Sequence, residues 1–140
     1  MEVILPLPLE RNFTYAITAA EAQFIKPGFR VAVPFGKRNV YTGVVYKVHQ
    51  EAPTAYEAKS IHSILDKSSV LNFPQFQLWE WISSYYMCTM GEVLRASLPS
   101  VFLLESETLI SLNKSSEFES SSLSDEEYLV FEALQQQSSL

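Results

Sequence analysis

The chain has 140 residues, 47% of them hydrophobic, enough to bury one core and a fragment of a second. No apolar run approaches the roughly 20 residues that span a bilayer, and Glu2, Pro6 and Pro8 in the opening MEVILPLPLERNF argue against a signal peptide, so the chain reads as cytosolic with no membrane partner. The net charge of −6 divides unevenly: residues 1–67 hold eight Lys/Arg against six acids, and residues 68–140 hold two against ten. A first half at +2 lacks the basic surface that binds duplex through many phosphates, yet it is compatible with a small pocket for one or two nucleotides.

Short strands are expected at Glu2–Leu5 and Asn12–Ile17, separated by a proline-rich PLPLER that favours an extended connection. Ala19–Ile25 reads as a brief turn or helix. Lys26-Pro27-Gly28 then supplies Pro at i+1 and Gly at i+2 of a type II turn. Two β-rich runs follow, Arg30–Phe35 and Val40–Gln50, joined through Gly36, Lys37, Arg38 and Asn39. Gly36 and Asn39 tolerate the positive φ of a tight turn. Two cations beside an unshielded glycine amide could receive a sugar-phosphate group, although the segment taken alone suits an ordinary hairpin with solvated Lys and Arg at its tip. After a loop at Glu51–Tyr56, a fifth strand is expected at Ala58–Leu65. Five strands with short turns predict a small, mostly antiparallel β-barrel or sandwich over residues 1–67.

The pattern then becomes helical. Asn72-Phe73-Pro74 opens a helix near 74–87, with Phe76, Trp79, Ile82 and Tyr86 on one stripe and Leu78, Trp81 and Tyr85 on another. Such a wide aromatic face is far more often a helix docked on a core than a stacking platform, so Trp79, Ile82 and Tyr86 are expected to be largely buried. Met90-Gly91 breaks this helix, and a shorter one near 91–98 ends at Pro99. Ser111–Ser124 is serine-rich and acidic and reads as a linker. Ser124-Asp125-Glu126-Glu127 forms a capping box ahead of Tyr128, Leu129, Phe131 and Leu134, whose apolar face finds nothing after Leu140 to cover it. The chain therefore looks like the start of a longer protein cut inside its second domain.

Chemistry-bearing constellations are missing from the sequence. Cys88 stands alone, His49 and His62 lack companions at ligand spacing, and neither a P-loop nor a nucleophile elbow occurs. A metal site and an enzyme contained in these 140 residues are both disfavoured.

Six motifs in register carry a family resemblance: Leu5-Pro6-Leu7-Pro8-Leu9, Phe13-Thr14-Tyr15, Gly28 through Lys37, Gly43-Val44-Val45, the Trp81 and Tyr85-Tyr86 segment, and Gly91-Glu92-Val93-Leu94 with Leu98-Pro99. Together they resemble the amino-terminal 3′-DNA-end-binding domain of the PriA (primosomal protein N′) family of replication-restart helicases, from about Glu2 to Leu104. The tail from Ser124 resembles the opening helix of that family's winged-helix domain. The resemblance implies an α+β module at residues 1–105, a Ser-rich linker at 106–123 and a truncated winged helix at 124–140. Its implied role is to hold the 3′ end of a nascent leading strand at a stalled or forked DNA, in company with other primosome proteins and neighbouring domains of the same helicase. The fragment itself would not be an enzyme; the parent resembles an ATP-dependent 3′-to-5′ helicase whose ATP and zinc sites lie beyond Leu140. The resemblance implies a 3′-end pocket of Phe13, Thr14, Tyr15, Gly36, Lys37 and Lys59. Thr14 stands where the family commonly has aspartate, a neutral hydroxyl of shorter reach. A β-branched residue at Gly36 would block entry and spare the fold if the φ there is negative. The competing reading is a small β-barrel that serves as a protein-interaction module or spacer without DNA-end specificity.

Overall fold

A computed structural model describes residues 1–104 and 124–136. It is α+β. Strands β1 (Glu2–Ile4), β2 (Phe13–Thr14), β3 (Arg30–Phe35), β4 (Asn39–Lys47) and β5 (Ser63–Ile64) form one antiparallel sheet in the order β2-β1-β4-β3-β5. Helix α1 (Ala19–Phe24) connects β2 to β3, and α2 (Phe73–Tyr86), α3 (Met90–Ser97) and a 3₁₀ turn (Ser100–Phe102) follow β5. These elements belong to one unit, Met1–Ser106; helix α4 (Asp125–Gln136) belongs to a second, Glu107–Leu140.

The sheet is hydrophobic on both sides because successive strand residues point to opposite faces. On one face Val3, Val31, Val33 and Val45 pack with Tyr15, Ile25 and Phe29. On the other, Ile4 and Val44 pack with Leu71, Phe76, Trp79, Val93 and Leu94. A strand sandwiched between two cores reads as a continuous apolar run, which is why VIL and VV show no alternation. The prolines of Leu5–Leu9 are accommodated without a strand. Leu7 N–H donates to Leu5 O and Leu9 N–H to Leu7 O, both at 2.8 Å, in successive three-residue turns centred on Pro6 and Pro8.

The expected barrel or sandwich is not formed. Edge strands β2 and β5 hold two residues each, and beyond them the edges meet at a single parallel bridge, Ala16 with Ser60, so the sheet remains open. The strand expected over Ala58–Leu65 is thus only Ser63–Ile64, and Lys59 lies on irregular backbone before it. The Lys26-Pro27-Gly28 turn is as expected: Phe29 N–H donates to Lys26 O at 3.2 Å and Gly28 has φ +89°. Gly28 is also required sterically, since a Cβ there would lie 2.0 Å from Leu71 O.

The helices begin where the sequence signals them. Capping boxes pair Thr18 with Glu21, Asn72 with Gln75, Thr89 with Glu92 and Ser124 with Glu127. The break between α2 and α3 lies earlier than Met90-Gly91: Met87 adopts a left-handed conformation, φ 51°, and caps α2. Only a narrow stripe of α2 enters the core. Trp79 is 4% exposed and Ile82 is half-buried, but Tyr86 is 65% exposed, and Leu78, Trp81 and Tyr85 are exposed too. Helical spacing places Tyr86 at the right angle, yet after the reversal at Met87 it is Cys88 that packs against this core. The expected Ser-rich linker, 106–123, lies outside the described residues, and α4, a single helix, defines no winged-helix fold.

One ion pair pins the far end of β3. The Arg30 guanidinium donates to both Asp66 oxygens, at 2.6 Å from Nη2 to Oδ1 and 3.0 Å from Nε to Oδ2, while Arg30 N–H donates to Asp66 Oδ2 at 2.8 Å. Arg30 also donates to Phe102 O and lies 4.6 Å from the centroid of the Phe102 ring. Burial pushes the Asp66 carboxyl up, but the hydrogen bonds and charge of Arg30 outweigh this and hold it below the ordinary value. Its stabilisation is therefore present above the unfolded Asp pKa, about 3.9, and is lost as pH falls through the depressed folded value. Asp66→Ala should cost about 2–4 kcal/mol at neutral pH, because it strands a partly buried guanidinium. Urea titrations should show that gap between variant and wild type shrinking in acid.

Candidate functional site

The hairpin β3–β4 runs in register from Arg30 opposite Val44 to Phe35 opposite Asn39, so the chain reverses at Gly36–Arg38. Gly36 has φ +70°, and a Cβ there would meet nothing within 4 Å. Its conformation, not its surroundings, calls for glycine. Among the described residues Asn39 takes no positive φ; it begins β4.

Beside this turn lies a pocket of about 190 Å³ lined by Phe13, Thr14, Tyr15, Pro34, Phe35, Gly36, Tyr56, Glu57 and Lys59. Three segments supply it: edge strand β2 with the residue after it, the end of β3 with its turn, and the loop leading to Ser60. Each wall is fixed differently. Tyr15 is buried, and its hydroxyl donates to Pro34 O at 3.1 Å. Burial, with Tyr56 nearby, pushes its pKa up to about 12, so the phenol stays neutral and remains a donor. Phe13 packs edge-on against Phe35, ring centroids 5.1 Å apart. Lys59 Nζ donates to Gly36 O at 3.0 Å, tying the loop to the turn. Tyr56 Oη accepts from Thr14 N–H at 2.7 Å.

Of the six residues anticipated, Phe13, Thr14, Tyr15, Gly36 and Lys59 line this pocket; Lys37 does not, and is exposed on the turn. Adjacency in sequence to Gly36 does not aim a turn side chain into the hollow. Pro34, Phe35, Tyr56 and Glu57 were missed as site residues. Pro34 and Phe35 stand directly before Gly36, and Glu57 is two residues from Lys59, so proximity was the available signal. Tyr56 had none, since its contacts span 42 residues. Three larger hollows occur among the described residues. One, of about 670 Å³, lies between Lys26, Lys47 and the start of α2; a second, of about 600 Å³, shares Thr14 and Tyr15 and extends over Ala16–Ala19, Ala22 and Val48–Pro53; a third, of about 480 Å³, lies between Glu2, Leu9–Asn12 and the Met87–Met90 segment. Size alone does not locate a site, and none of the three contains Gly36 or Lys59.

An open antiparallel sheet with packed helices and a small aromatic pocket at a hairpin tip defines a small α+β domain. The chain belongs to the 3′DNA-binding domain (3′BD) family, whose sequence model matches residues 2–99. It is similar to the replication restart protein PriA of Treponema pallidum, 29% identical over 104 residues covering 71% of this chain. It is also 28% identical over 101 residues to replication restart protein PriA of Buchnera aphidicola from Acyrthosiphon pisum, covering 72% of this chain. The chain spans only 16% and 14% of the lengths of these relatives.

The positive φ corrects one expectation: a β-branched residue at Gly36 would strain the turn and so would not spare the fold. Gly36→Val should lose about 1–3 kcal/mol of stability, and Gly36→Asn distinctly less, because asparagine tolerates this region. Chemical denaturation of the two variants checks the order.

Proposed function

We propose that this chain is the DNA-binding module of a replication-restart helicase and that its pocket takes the terminal nucleotide of a free DNA 3′ end. The observation that carries this reading is the convergence of Phe13, Thr14, Tyr15, Gly36 and Lys59 on one hollow, from three separate segments of a chain in the 3′BD family. Size supports it as well. At about 190 Å³ the pocket is smaller than the roughly 300–1,000 Å³ of sites for drug-sized ligands, which suits one nucleoside end and not a run of bases. Aromatic rings offer a stacking surface that every base can use, so capture need not depend on sequence. Lys59 supplies a cation for the phosphate preceding the terminal nucleoside, and Thr14 a hydroxyl at the base edge. The Glu57 carboxylate lines the same pocket and would repel an additional charge, which favours a 3′-hydroxyl over a 3′-phosphate. In the parent protein, the helix from Ser124 would begin a winged-helix domain, with the ATP and zinc sites of the motor beyond it.

A second reading, a protein-interaction module, has one observation in its favour: Trp81, Tyr85, Tyr86 and Met87 are all exposed on and just after α2. One titration separates the two. Labelled tailed DNA with a free 3′-hydroxyl should bind more tightly than the same DNA ending in 3′-phosphate; equal affinities would reject end capture. With few phosphates engaged, log K against log salt should fall with a slope of roughly −1 to −2. Lys59→Ala should flatten that slope, whereas Thr14→Ala should cost only about 0.5–1.5 kcal/mol, the worth of a neutral hydrogen bond.

A further inference from the structure

We infer that Tyr56 is the base-binding wall of this pocket, the surface on which the terminal base stacks; the assignment rests on the 3′-end reading above. Tyr56 lies on a loop outside the sheet, with its ring 6.0 Å from Phe13 at an interplanar angle of 47°. Its neighbours in the aromatic cluster are settled differently: Phe13 with Phe35, and Phe35 with Tyr41, are both edge-to-face, at 75° and 74°. Aromatic pairs prefer edge-to-face or offset-stacked arrangements, and 47° is neither. The position of the Tyr56 ring is thus set by its hydroxyl, not by ring packing.

That hydroxyl accepts the Thr14 N–H at 2.7 Å. β2 is an edge strand, so this amide would otherwise be solvated at little cost. The bond contributes little to stability but holds a ring beside Phe13 on the lining of the pocket. A tethered tyrosine has only two side-chain torsions to order, so it presents a flat apolar face at low entropic cost. Tyr56 is 38% exposed, which leaves ring surface for a ligand to cover. The chemical class that fits an aromatic lining with a lysine in the same pocket is a nucleobase carried on a sugar-phosphate, and stacking of this kind accepts any base.

The test compares tailed DNAs, all ending in a 3′-hydroxyl, whose terminal nucleotide either carries its base or is abasic. Wild type should bind the complete terminus about tenfold more tightly, within the roughly 5- to 100-fold that one stacked base contributes. Tyr56→Leu keeps apolar bulk but removes the aromatic face, and should bind both DNAs at the abasic level. Tyr56→Phe keeps the ring but loses the hydroxyl that positions it, and should show a base preference between those of wild type and Tyr56→Leu. The assignment is overturned if Tyr56→Leu keeps the full base preference or weakens both DNAs by the same factor, as a purely structural residue would. Indifference of wild type to 3′-phosphate overturns the end-capture reading and this assignment with it. A wild type that prefers 3′-hydroxyl yet ignores the missing base overturns this assignment alone.

Discussion

The register of the β3–β4 hairpin is the constraint on which the rest of the structure depends. β4 is the middle strand of five, and its residues alternate between two cores, Val44 toward Trp79 and Leu94, Val45 toward Tyr15 and Phe29. A slip of one residue would exchange the faces of every side chain on the strand, sending partners of one core into the other. Six consecutive pairs, from Arg30–Val44 to Phe35–Asn39, prevent that slip. The same register decides what occurs at each end of β3. Arg30 meets Asp66 at one end and Gly36 turns at the other, separated by about 20 Å of strand. The Arg30–Asp66 ion pair therefore stands clear of the pocket, and the two are energetically separable.

Much of this was legible because it is local. A Pro-Gly pair before a β-branched run, a glycine between two such runs, the cap at Asn72 and the Ser124–Glu127 box each rest on contacts within a few residues, and the structure places them as the sequence suggests; the boxes at Thr18 and Thr89 are local too but were not singled out. Depth was not legible. The spacing of Trp79, Ile82 and Tyr86 fixes an angle around α2, but whether anything lies beneath Tyr86 depends on how the chain returns after Met87. Sheet closure failed for a related reason: Ala58–Leu65 has the composition of a full strand, yet only Ser63 and Ile64 find partners along β3. Within the pocket, Pro34, Phe35 and Glu57 stand beside residues that were named, whereas Tyr56 joins it through a long-range contact. A phenol that reaches an amide 42 positions away leaves no periodicity to read.

The pocket's electrostatics bear on a puzzle set by composition. A chain at −6 is a poor polyelectrolyte partner for DNA, and its acidity is concentrated after residue 67. A small site avoids the conflict, since it draws on shape and stacking more than on counterion release. One base, Lys59, and one acid, Glu57, line the hollow. Under the proposed reading so few charges would leave discrimination to the fit of the terminus.

The proposed preference for an end over an interior nucleotide follows from how the pocket is tied shut. Lys59 bridges to Gly36 O and Tyr56 to Thr14 N–H, so the loop carrying both residues is stitched to the hairpin turn on one side and to the edge strand on the other. An internal nucleotide needs two openings, one for the chain to enter and one for it to leave; a terminal nucleotide needs one. The two stitches join the three segments that line a hollow of about 190 Å³, and under the proposed reading this small bordered space would favour the terminus. Both also use main-chain partners, so they persist whatever side chain occupies position 14. The outline of the pocket is thus held by the backbone of β2 and of the Gly36 turn, and under the proposed reading the side chain at position 14 would set only the contact made inside it.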